Sequence, residues 1–338
     1  MQRVLTVFAA LLFTAAHADA QIRLEQAPPR RPGKPDLPKP FRIGPVIPGL
    51  HQGAVPQGLA YWPERDCLLI SYYFDTEVAS VVAVIDRKSG DVLRCLSLLE
   101  ANGDLHRGHV GGLAVLRDYL WIGSGKVYRV LLEEIAESES VAYLTLRDSF
   151  RAATIASFVA CDERRLWVGE FVLNKKSKAG SPHHTVDRNG VHKYAWACTY
   201  ELDELNEQVP GSGDEPLIPA AVYSIRQKAQ GMAFLHGHAI LSVSYGRANR
   251  STIASYRNPL DHEGQRPHQT VRIGDESVPL WFLDGRNRTG ETSYPAMAEG
   301  IVAVDDWLAV LTESGAAKYQ SGGLGPLDAI IYISPASR

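Results

Sequence analysis

The feature that most constrains the fold of this chain is a pattern of paired apolar segments that recurs five times along its 338 residues. In each copy a short apolar segment is followed by a polar turn and then by a second apolar segment, as expected for two antiparallel strands. The copies begin at Gly58, Gly112, Ser157, Gly231 and Gly300, and their second segments begin 10, 8, 9, 10 and 8 residues later. Such regular repetition predicts an architecture built from similar units that pack against one another.

A third apolar segment follows each pair, and a fourth follows the first four pairs. The predicted third strands are residues 80–86, 126–130, 194–200, 252–256 and 328–333. The predicted fourth strands are residues 92–98, 141–147, 220–225 and 270–273. Four-stranded units without long amphipathic helices between them are typical of propeller blades. We therefore predict an all-β, five-bladed β-propeller, with four or six blades as the alternatives if the long fourth unit is misread.

The last unit has no fourth strand of its own after its third. The segment Phe41-Arg42-Ile43-Gly44 stands before the first unit and resembles Val271-Arg272-Ile273-Gly274, the predicted outer strand of the fourth unit. We predict that this N-terminal strand completes the last blade, because such closure joins the ring and removes exposed sheet edges.

The first 20 residues have the pattern of a secretory signal peptide. Arg3 precedes an apolar run over residues 4–16, and Ala18-Asp19-Ala20 matches the small-x-small sequence that signal peptidase cleaves. Residues 21–40 are rich in proline and predict an extended linker. The predicted domains are a signal peptide over 1–20, a linker over 21–40 and a propeller over 41–338, and we expect the mature protein to be periplasmic or secreted.

Charge, hydropathy and cysteine content restrict the expected partners. The chain has 35 Lys and Arg against 38 Asp and Glu, a formal net charge of −3, which gives no basic excess for binding nucleic acid. No segment after the signal peptide is long and apolar enough to span a bilayer, and we expect a monomer. The cysteines either form two disulfides or remain buried thiols, and none has zinc-site spacing. They are Cys67, Cys95, Cys161 and Cys198.

Two sets of residues resemble known propellers. Residues 84–92, Val-Ile-Asp-Arg-Lys-Ser-Gly-Asp-Val, resemble the hairpin of YVTN and quinoprotein-like propellers, in which an Asp and a Gly shape the turn between the third and fourth strands. The segments at 56–61, 109–114, 230–233 and 299–302 are together similar to those of exported bacterial propeller proteins without an established activity. This resemblance covers nearly the whole mature chain and implies the propeller fold.

A shorter segment resembles a different group of propellers. Glu299-Gly300-Ile301 is similar to a Glu-Gly-Ile near the calcium site of five-bladed calcium-dependent apyrases, although the longer apyrase motifs are missing from this chain. Five-bladed propellers also include glycoside hydrolases, and in both groups the polar site lies where the blades converge. The resemblance implies Ca²⁺ as a candidate cofactor and an axial position for the site.

Candidate site residues follow from the geometry of a blade. Residues just before the first strand and just after the second strand should lie at one end of the central channel. The catalytic candidates are Glu170, Glu299 and His109; the ligand-binding candidates are Gln57, Tyr72, Gln230, Tyr245 and Glu313; the metal candidates are Glu170 and Glu299.

Glu170 and Glu299 carry most of this argument, because most other units have neutral residues at those positions. The two carboxylates could act as general acid and base on a glycosidic bond, or could bind Ca²⁺ together with Gln57, Gln230 and backbone carbonyl groups. The structural alternative is that each carboxylate accepts backbone hydrogen bonds and ties adjacent blades together. His109 has the same two interpretations, as a base or as a hydrogen-bonding strut.

The expected function is binding of a polar small molecule or a glycan, with hydrolysis as the chemistry if the protein is an enzyme. The alternative is a non-catalytic extracytoplasmic scaffold that docks another protein through its blade edges or through a polar insertion at residues 174–193. The sequence has no Gly-rich phosphate loop after a strand, no nucleophile elbow and no HExxH helix, which excludes several enzyme classes.

Overall fold

Five sheets, one for each sequence repeat, form the blades of a β-propeller in a computed structural model of the chain. The structure describes residues 21–26, 36–174, 183–203, 215–261, 266–321 and 324–334. The predicted signal peptide and residues 27–35 of the predicted linker lie outside them. The first strands of successive blades pack side by side in a closed ring. The predicted all-β, five-bladed architecture is confirmed.

The first blade shows why the repeats read as continuous apolar runs. Strand β1 (Phe41–Val46) opens the chain but belongs to another blade; the first blade has β2 (Val55–Trp62), β3 (Cys67–Tyr73), β4 (Val81–Asp86) and β5 (Val92–Glu100). Side chains of a strand alternate between its two faces. Leu68 and Ile70 pack toward the last blade, whereas Leu69 packs toward the second. Both faces are therefore buried, and few polar residues interrupt the strand.

The second blade differs from the prediction at its outer edge. Its elements are β6 (Gly112–Leu116), β7 (Tyr119–Ser124), β8 (Lys126–Leu131), helix α1 (Leu132–Glu137), β9 (Val141–Leu146) and β10 (Asp148–Phe150). The prediction that residues 141–147 form the fourth strand is wrong, because β9 pairs in parallel with β5 of the first blade. Helix α1 precedes β9 in the chain, and Leu144 and Leu146 pack in the same apolar cluster as Leu96 and Leu98. The short β10 pairs with β8 instead.

The third blade contains the predicted fourth strand. Its strands are β11 (Phe158–Cys161), β12 (Arg165–Gly169), β15 (Ala195–Glu201) and β16 (Ala221–Ile225), and β13 (Thr185–Val186) pairs with β14 (His192–Lys193) in the polar insertion. Strand β16 pairs antiparallel with β15, so the prediction for residues 220–225 is confirmed.

The fourth blade contains a second difference. Its strands are β17 (Ala229–Leu235), β18 (His238–Val243), β19 (Ser251–Arg257) and β22 (Arg288–Tyr294). The predicted outer strand at 270–273 lies in β20 (Gln269–Ile273), which pairs with β21 (Glu276–Phe282), and β21 extends the third blade through β16. The prediction is wrong because the true fourth strand, β22, is mostly polar, whereas β21 buries Val278, Leu280 and Phe282 in the third blade's core.

The last blade is closed by the N-terminal strand, as predicted. It contains β23 (Ala298–Val304), β24 (Trp307–Thr312) and β25 (Ala329–Ile333). Strand β1 pairs antiparallel with β25, with Phe41 opposite Ile333 and Ile43 opposite Ile331. The two ends of the chain therefore share one sheet, and the ring has no open edge between its first and last units.

Residues 21–26, which the sequence assigns to the linker, pack against the ring, and Leu24 is only 2% exposed. All four cysteines are free thiols, three of them buried. Among the described residues, no helix has the length and apolar character needed to cross a membrane.

Candidate functional site

A cavity of about 600 Å³ lies where all five blades meet, and two sets of five residues form much of its wall. The first set, which we call the entry ring, stands at the beginning of the innermost strands. It consists of Gln57, Gly111, Ser157, Gln230 and Glu299, each directly preceding one of Gly58, Gly112, Phe158, Gly231 and Gly300. Three of these five residues, Gln57, Gln230 and Glu299, are predicted site residues.

The second set, the exit ring, lies where the second strand of each blade leaves the channel. Its members occupy the seventh position counted from the first residue of β3, β7, β12, β18 and β24. They are Tyr73, Gly125, Phe171, Ser244 and Glu313. Because the five hairpins are in the same register at the channel, one residue per blade reaches the cavity from each ring.

The last blade alone contributes a carboxyl group to both rings. Glu299 and Glu313 are hydrogen-bonded to each other. A glutamine from each flanking blade holds one of them: Gln230 Nε2 donates to Glu299 Oε1 over 3.0 Å, and Gln57 Nε2 donates to Glu313 Oε2 over 3.1 Å. Four predicted site residues from three neighbouring blades therefore form one continuous hydrogen-bonded chain.

The environment of this pair keeps a proton on it near neutral pH. Burial raises the pKa of Glu299 well above its ordinary value, and the negative charge of Glu313 raises it further. Burial also raises the pKa of Glu313, to about 7, although the hydrogen bond from Gln57 opposes the change. Like charges in contact cannot both ionise cheaply, so Glu299 carries the proton and donates it toward Glu313.

His109 lines the same cavity and is held by an aromatic partner. Its ring stacks on Tyr73 with centroids 4.0 Å apart, and the Tyr73 hydroxyl lies 3.1 Å from that of Tyr319. Burial lowers the pKa of His109, and the positive charge of Lys318 lowers it further. The histidine is therefore a neutral hydrogen-bonding group at pH 7.

Glu170 does not line the cavity, although the sequence predicts it there. It is 1% exposed, and its Oε1 accepts hydrogen bonds from the Trp196 backbone N–H over 2.9 Å and from His183 Nδ1 over 2.6 Å. The His183 ring in turn stacks on the Trp196 indole at 4.2 Å. This arrangement agrees with the structural alternative in that the carboxylate accepts a backbone hydrogen bond, but it ties the insertion to the third blade and does not join adjacent blades.

The two tyrosine candidates are placed differently. Tyr72 is fully buried in the apolar cluster between the first and last blades, so its side chain does not reach the cavity. Its neighbour Tyr73 lines the cavity instead. Tyr245 does line the cavity and is 45% exposed. Its ring centroid lies 5.2 Å from Lys228 Nζ.

The donor set at the carboxyl pair suits a shared proton better than Ca²⁺. Calcium prefers six to eight oxygen ligands, whereas Gln57 and Gln230 turn N–H groups toward the two carboxyl groups. Among the described residues, no group of three or more His, Cys, Asp or Glu side chains is arranged to hold a metal ion.

Residues that the sequence analysis missed belong mainly to the exit ring and the rim. Phe171, Ser244, Arg247 and Tyr319 all line the cavity. Strand alternation fixes which side chain of each second strand faces the channel, but the apolar segments of the sequence do not mark where those strands begin, so this set could not be identified by counting. Arg247 lies on a loop and Tyr319 in a short 3-10 helix (Ala317–Tyr319), and neither occupies a position that repeats from blade to blade.

Comparisons with known proteins establish no family. No family model matches the chain, and no curated protein matches its sequence. Among solved structures it is similar to the glutaminyl cyclase of Myxococcus xanthus, with a TM-score of 0.43 and 10% identity over 87% of this chain and 97% of that one. A xylose complex of the GH43_1 enzyme from Xanthomonas citri gives a TM-score of 0.45 and 10% identity over 86% and 89%. A gluconolactonase of Xanthomonas campestris gives 0.35 and 11% over 90% and 98%.

Proposed function

We propose that the axial cavity binds a polar small molecule or a glycan, and that Glu299 and Glu313 act on it as a general acid and base. The observation that carries the proposal is a pair of carboxyl groups in hydrogen-bond contact on the wall of a cavity of about 600 Å³. Cavities of this size accommodate ordinary small-molecule ligands.

A purely structural role does not require this chemistry. Burying a carboxyl group lowers the stability of the fold unless its charge is removed or compensated. Two buried carboxyl groups in contact also repel each other when both are ionised. Neutral side chains such as Gln57 and Gln230 make the same kind of inter-blade hydrogen bond without that cost. Pairs of titratable groups whose pKa values are driven apart by their surroundings are typical of acid–base sites.

The geometry also selects among hydrolytic mechanisms. Glycosidases that flank the scissile bond hold their two carboxyl groups roughly 5 to 10 Å apart. Glu299 and Glu313 are in hydrogen-bond contact, so they cannot stand on opposite sides of a sugar ring. They can act together on one face: the Glu313 carboxylate accepts a proton from an attacking water while Glu299 donates its proton to the substrate oxygen that gains charge.

The test combines a binding screen with matched isosteric variants. Calorimetry and turnover assays with neutral oligosaccharides, sugar lactones and short peptides would be run on the wild type, Glu299→Gln and Glu313→Gln. Glu133→Gln is the control, because Glu133 is an exposed residue of helix α1 that does not line the cavity. We expect the wild type and Glu133→Gln to act equally on a ligand from the panel, and both cavity variants to lose turnover while keeping their fold.

Two results would contradict the proposal. If a ligand is turned over equally by all four proteins, the carboxyl pair does not act on it. If no panel member binds the wild type, or if both cavity variants unfold, the pair is a structural link between the blades and the assignment of acid and base is wrong.

A further inference from the structure

A second group of side chains, separate from the carboxyl pair, forms a hydrogen-bonded chain of serine, histidine and glutamate. Ser124 ends strand β7, and its Oγ lies 3.0 Å from His106 Nε2. On the other side of the ring, His106 Nδ1 lies 2.6 Å from Glu100 Oε1. These are the contacts that orient and activate a serine nucleophile in acyl-transfer enzymes on unrelated folds.

The carboxylate determines which nitrogen of the histidine carries the proton. A carboxylate only accepts hydrogen bonds, so the neutral His106 ring donates from Nδ1 and leaves Nε2 free to accept the Ser124 hydroxyl proton. The ring is held in place by edge-to-face contact with Tyr128 and by two backbone bonds, from His106 N–H to Leu98 and from Ser80 N–H to His106. The histidine side chain is 5% exposed, whereas that of Glu100 is 38% exposed.

Gly108 makes room for this contact. A Cβ atom at position 108 would collide with Ser124 Oγ and would lie 2.8 Å from His106 Nε2, so any other residue would separate the serine from the histidine.

Ser124 is partly exposed and does not itself line the axial cavity. Gly125, the next residue, lines the cavity in a left-handed conformation with φ of +72°, and a Cβ there would meet no atom within 4 Å. Ile155 and Ala156 line the wall next to Gly125, whose backbone is bonded to that of Ala156. Ile155 is 50% exposed, so this side of the cavity offers a small apolar surface.

We propose that Ser124, His106 and Glu100 form an esterase site that acts on acyl esters. Ser124 Oγ attacks the ester carbonyl carbon as His106 Nε2 takes the hydroxyl proton, and that proton passes to the departing alcohol. Water then attacks the acyl-serine, giving one proton to His106, which returns it to Ser124 Oγ as the carboxylic acid leaves. The net reaction consumes one ester and one water and forms one acid and one alcohol.

The test uses a fluorophosphonate probe, which labels activated serines covalently, and p-nitrophenyl acetate as a reporter ester. Peptide mapping of the labelled wild-type protein should locate the probe on Ser124, and Ser124→Ala should abolish both labelling and ester hydrolysis. Glu100→Gln keeps an acceptor for Nδ1 but removes the charge, and should slow labelling roughly 10-fold or more. Ser89→Ala, in the turn before β5, is the matched hydroxyl control and should label like the wild type.

Thermal unfolding separates this proposal from a structural role. The activity is supported if both variants melt like the wild type while Ser124→Ala loses labelling and Glu100→Gln is labelled more slowly. It is overturned if the wild type is not labelled at Ser124, or if labelling persists unchanged in Glu100→Gln. Because the probe reports only on the serine, these outcomes do not depend on whether the Glu299–Glu313 pair acts on a ligand.

Discussion

Glu170 and Glu313 stand at nearly the same place in two blades, yet only one reaches the cavity. Glu170 is the sixth residue counted from the start of β12, whereas Glu313 is the seventh counted from the start of β24. Successive strand side chains point to opposite faces. Glu313 therefore meets Gln57 at the channel, whereas Glu170 turns away from the channel and meets His183 and the Trp196 backbone within the third blade.

The position of each carboxylate along its strand decides whether it reaches the cavity, because that position sets the face of the sheet on which the side chain lies. The seventh position lines the cavity in all five blades, while the sixth position is occupied by Tyr72, Ser124, Glu170, Val243 and Thr312, none of which lines it. A one-residue shift thus separates a carboxyl group on the cavity wall from one that is buried away from it.

The largest expected contrast is in turnover. On any substrate that the cavity accepts, Glu313→Gln should lower kcat/KM by roughly 100-fold or more, the usual contribution of a general acid or base. Glu170→Gln should keep at least half of the wild-type value in the folded protein, because its side chain lies outside the cavity. Steady-state kinetics on both variants measures the difference, and equal losses would remove the distinction between the two positions.

The next largest effect is on stability, where the change at position 170 should be more damaging than the change at position 313. Glu170→Ala should lower the free energy of unfolding by about 2 to 3 kcal/mol, because the Trp196 N–H and His183 would lose their buried charged acceptor. Glu313→Gln should be neutral or stabilising, since it removes a buried acid. Urea unfolding followed by tryptophan fluorescence tests this order, and a destabilised Glu313→Gln beside an unaffected Glu170→Ala would reverse our assignments.

A smaller effect concerns the pH dependence of stability. The raised pKa of Glu313, about 7 against an ordinary 4.5, means that the folded protein binds more protons than the unfolded chain between these values. The resulting stability is fully present below pH 4.5 and is lost as pH rises through 7, by about 1 to 2 kcal/mol for this partly open site. Unfolding curves from pH 5 to 8 should show this loss in the wild type and a weaker one in Glu313→Gln. A wild-type stability that rises over this range would contradict it.

The smallest effect is on the titration of the pair itself. The Gln57 hydrogen bond favours the ionised form of Glu313 and lowers its pKa. Gln57→Leu should therefore raise that pKa by about 0.5 unit. Carboxyl ¹³C NMR or infrared titration measures the change, with Gln52→Leu, on an exposed turn outside the cavity lining, as the control. An unchanged or lowered pKa would show that Gln57 does not stabilise the charged form.

The spacing of apolar residues predicts most strands of the fold. It does not predict which strands pair with each other at the outer edges of the sheets. The hairpins and the closing strand β1 were predictable because each carries its own apolar spacing. The outer strands of the second and fourth blades were not, since β9 and β21 are apolar segments that join the preceding blade through parallel pairing. Which edge an apolar strand joins depends on long-range packing that local spacing does not contain.

The site residues that are easiest to predict from the sequence are those at the start of a first strand. Gln57, Gln230 and Glu299 were identified because they precede a small or apolar first strand, whose start is visible in the sequence. Tyr72 and Glu170 were wrongly predicted to line the cavity because each stands one residue before the position that does. The apolar segments of the sequence do not mark where the second strand begins, so the two positions could not be distinguished. The triad of Glu100, His106 and Ser124 has no sequence motif, because a loop between blades brings the three together.

The closing strand also sets an order of events during synthesis. Of the strands in the ring, β1 leaves the ribosome first and β25 last, nearly 300 residues later, so the last blade cannot be completed until β25 has emerged. Glu299 and Glu313 belong to that blade. Their mutual contact is therefore assembled among the final steps of folding, and an incompletely made chain carries the residues of the acid pair without the finished sheet that supports them.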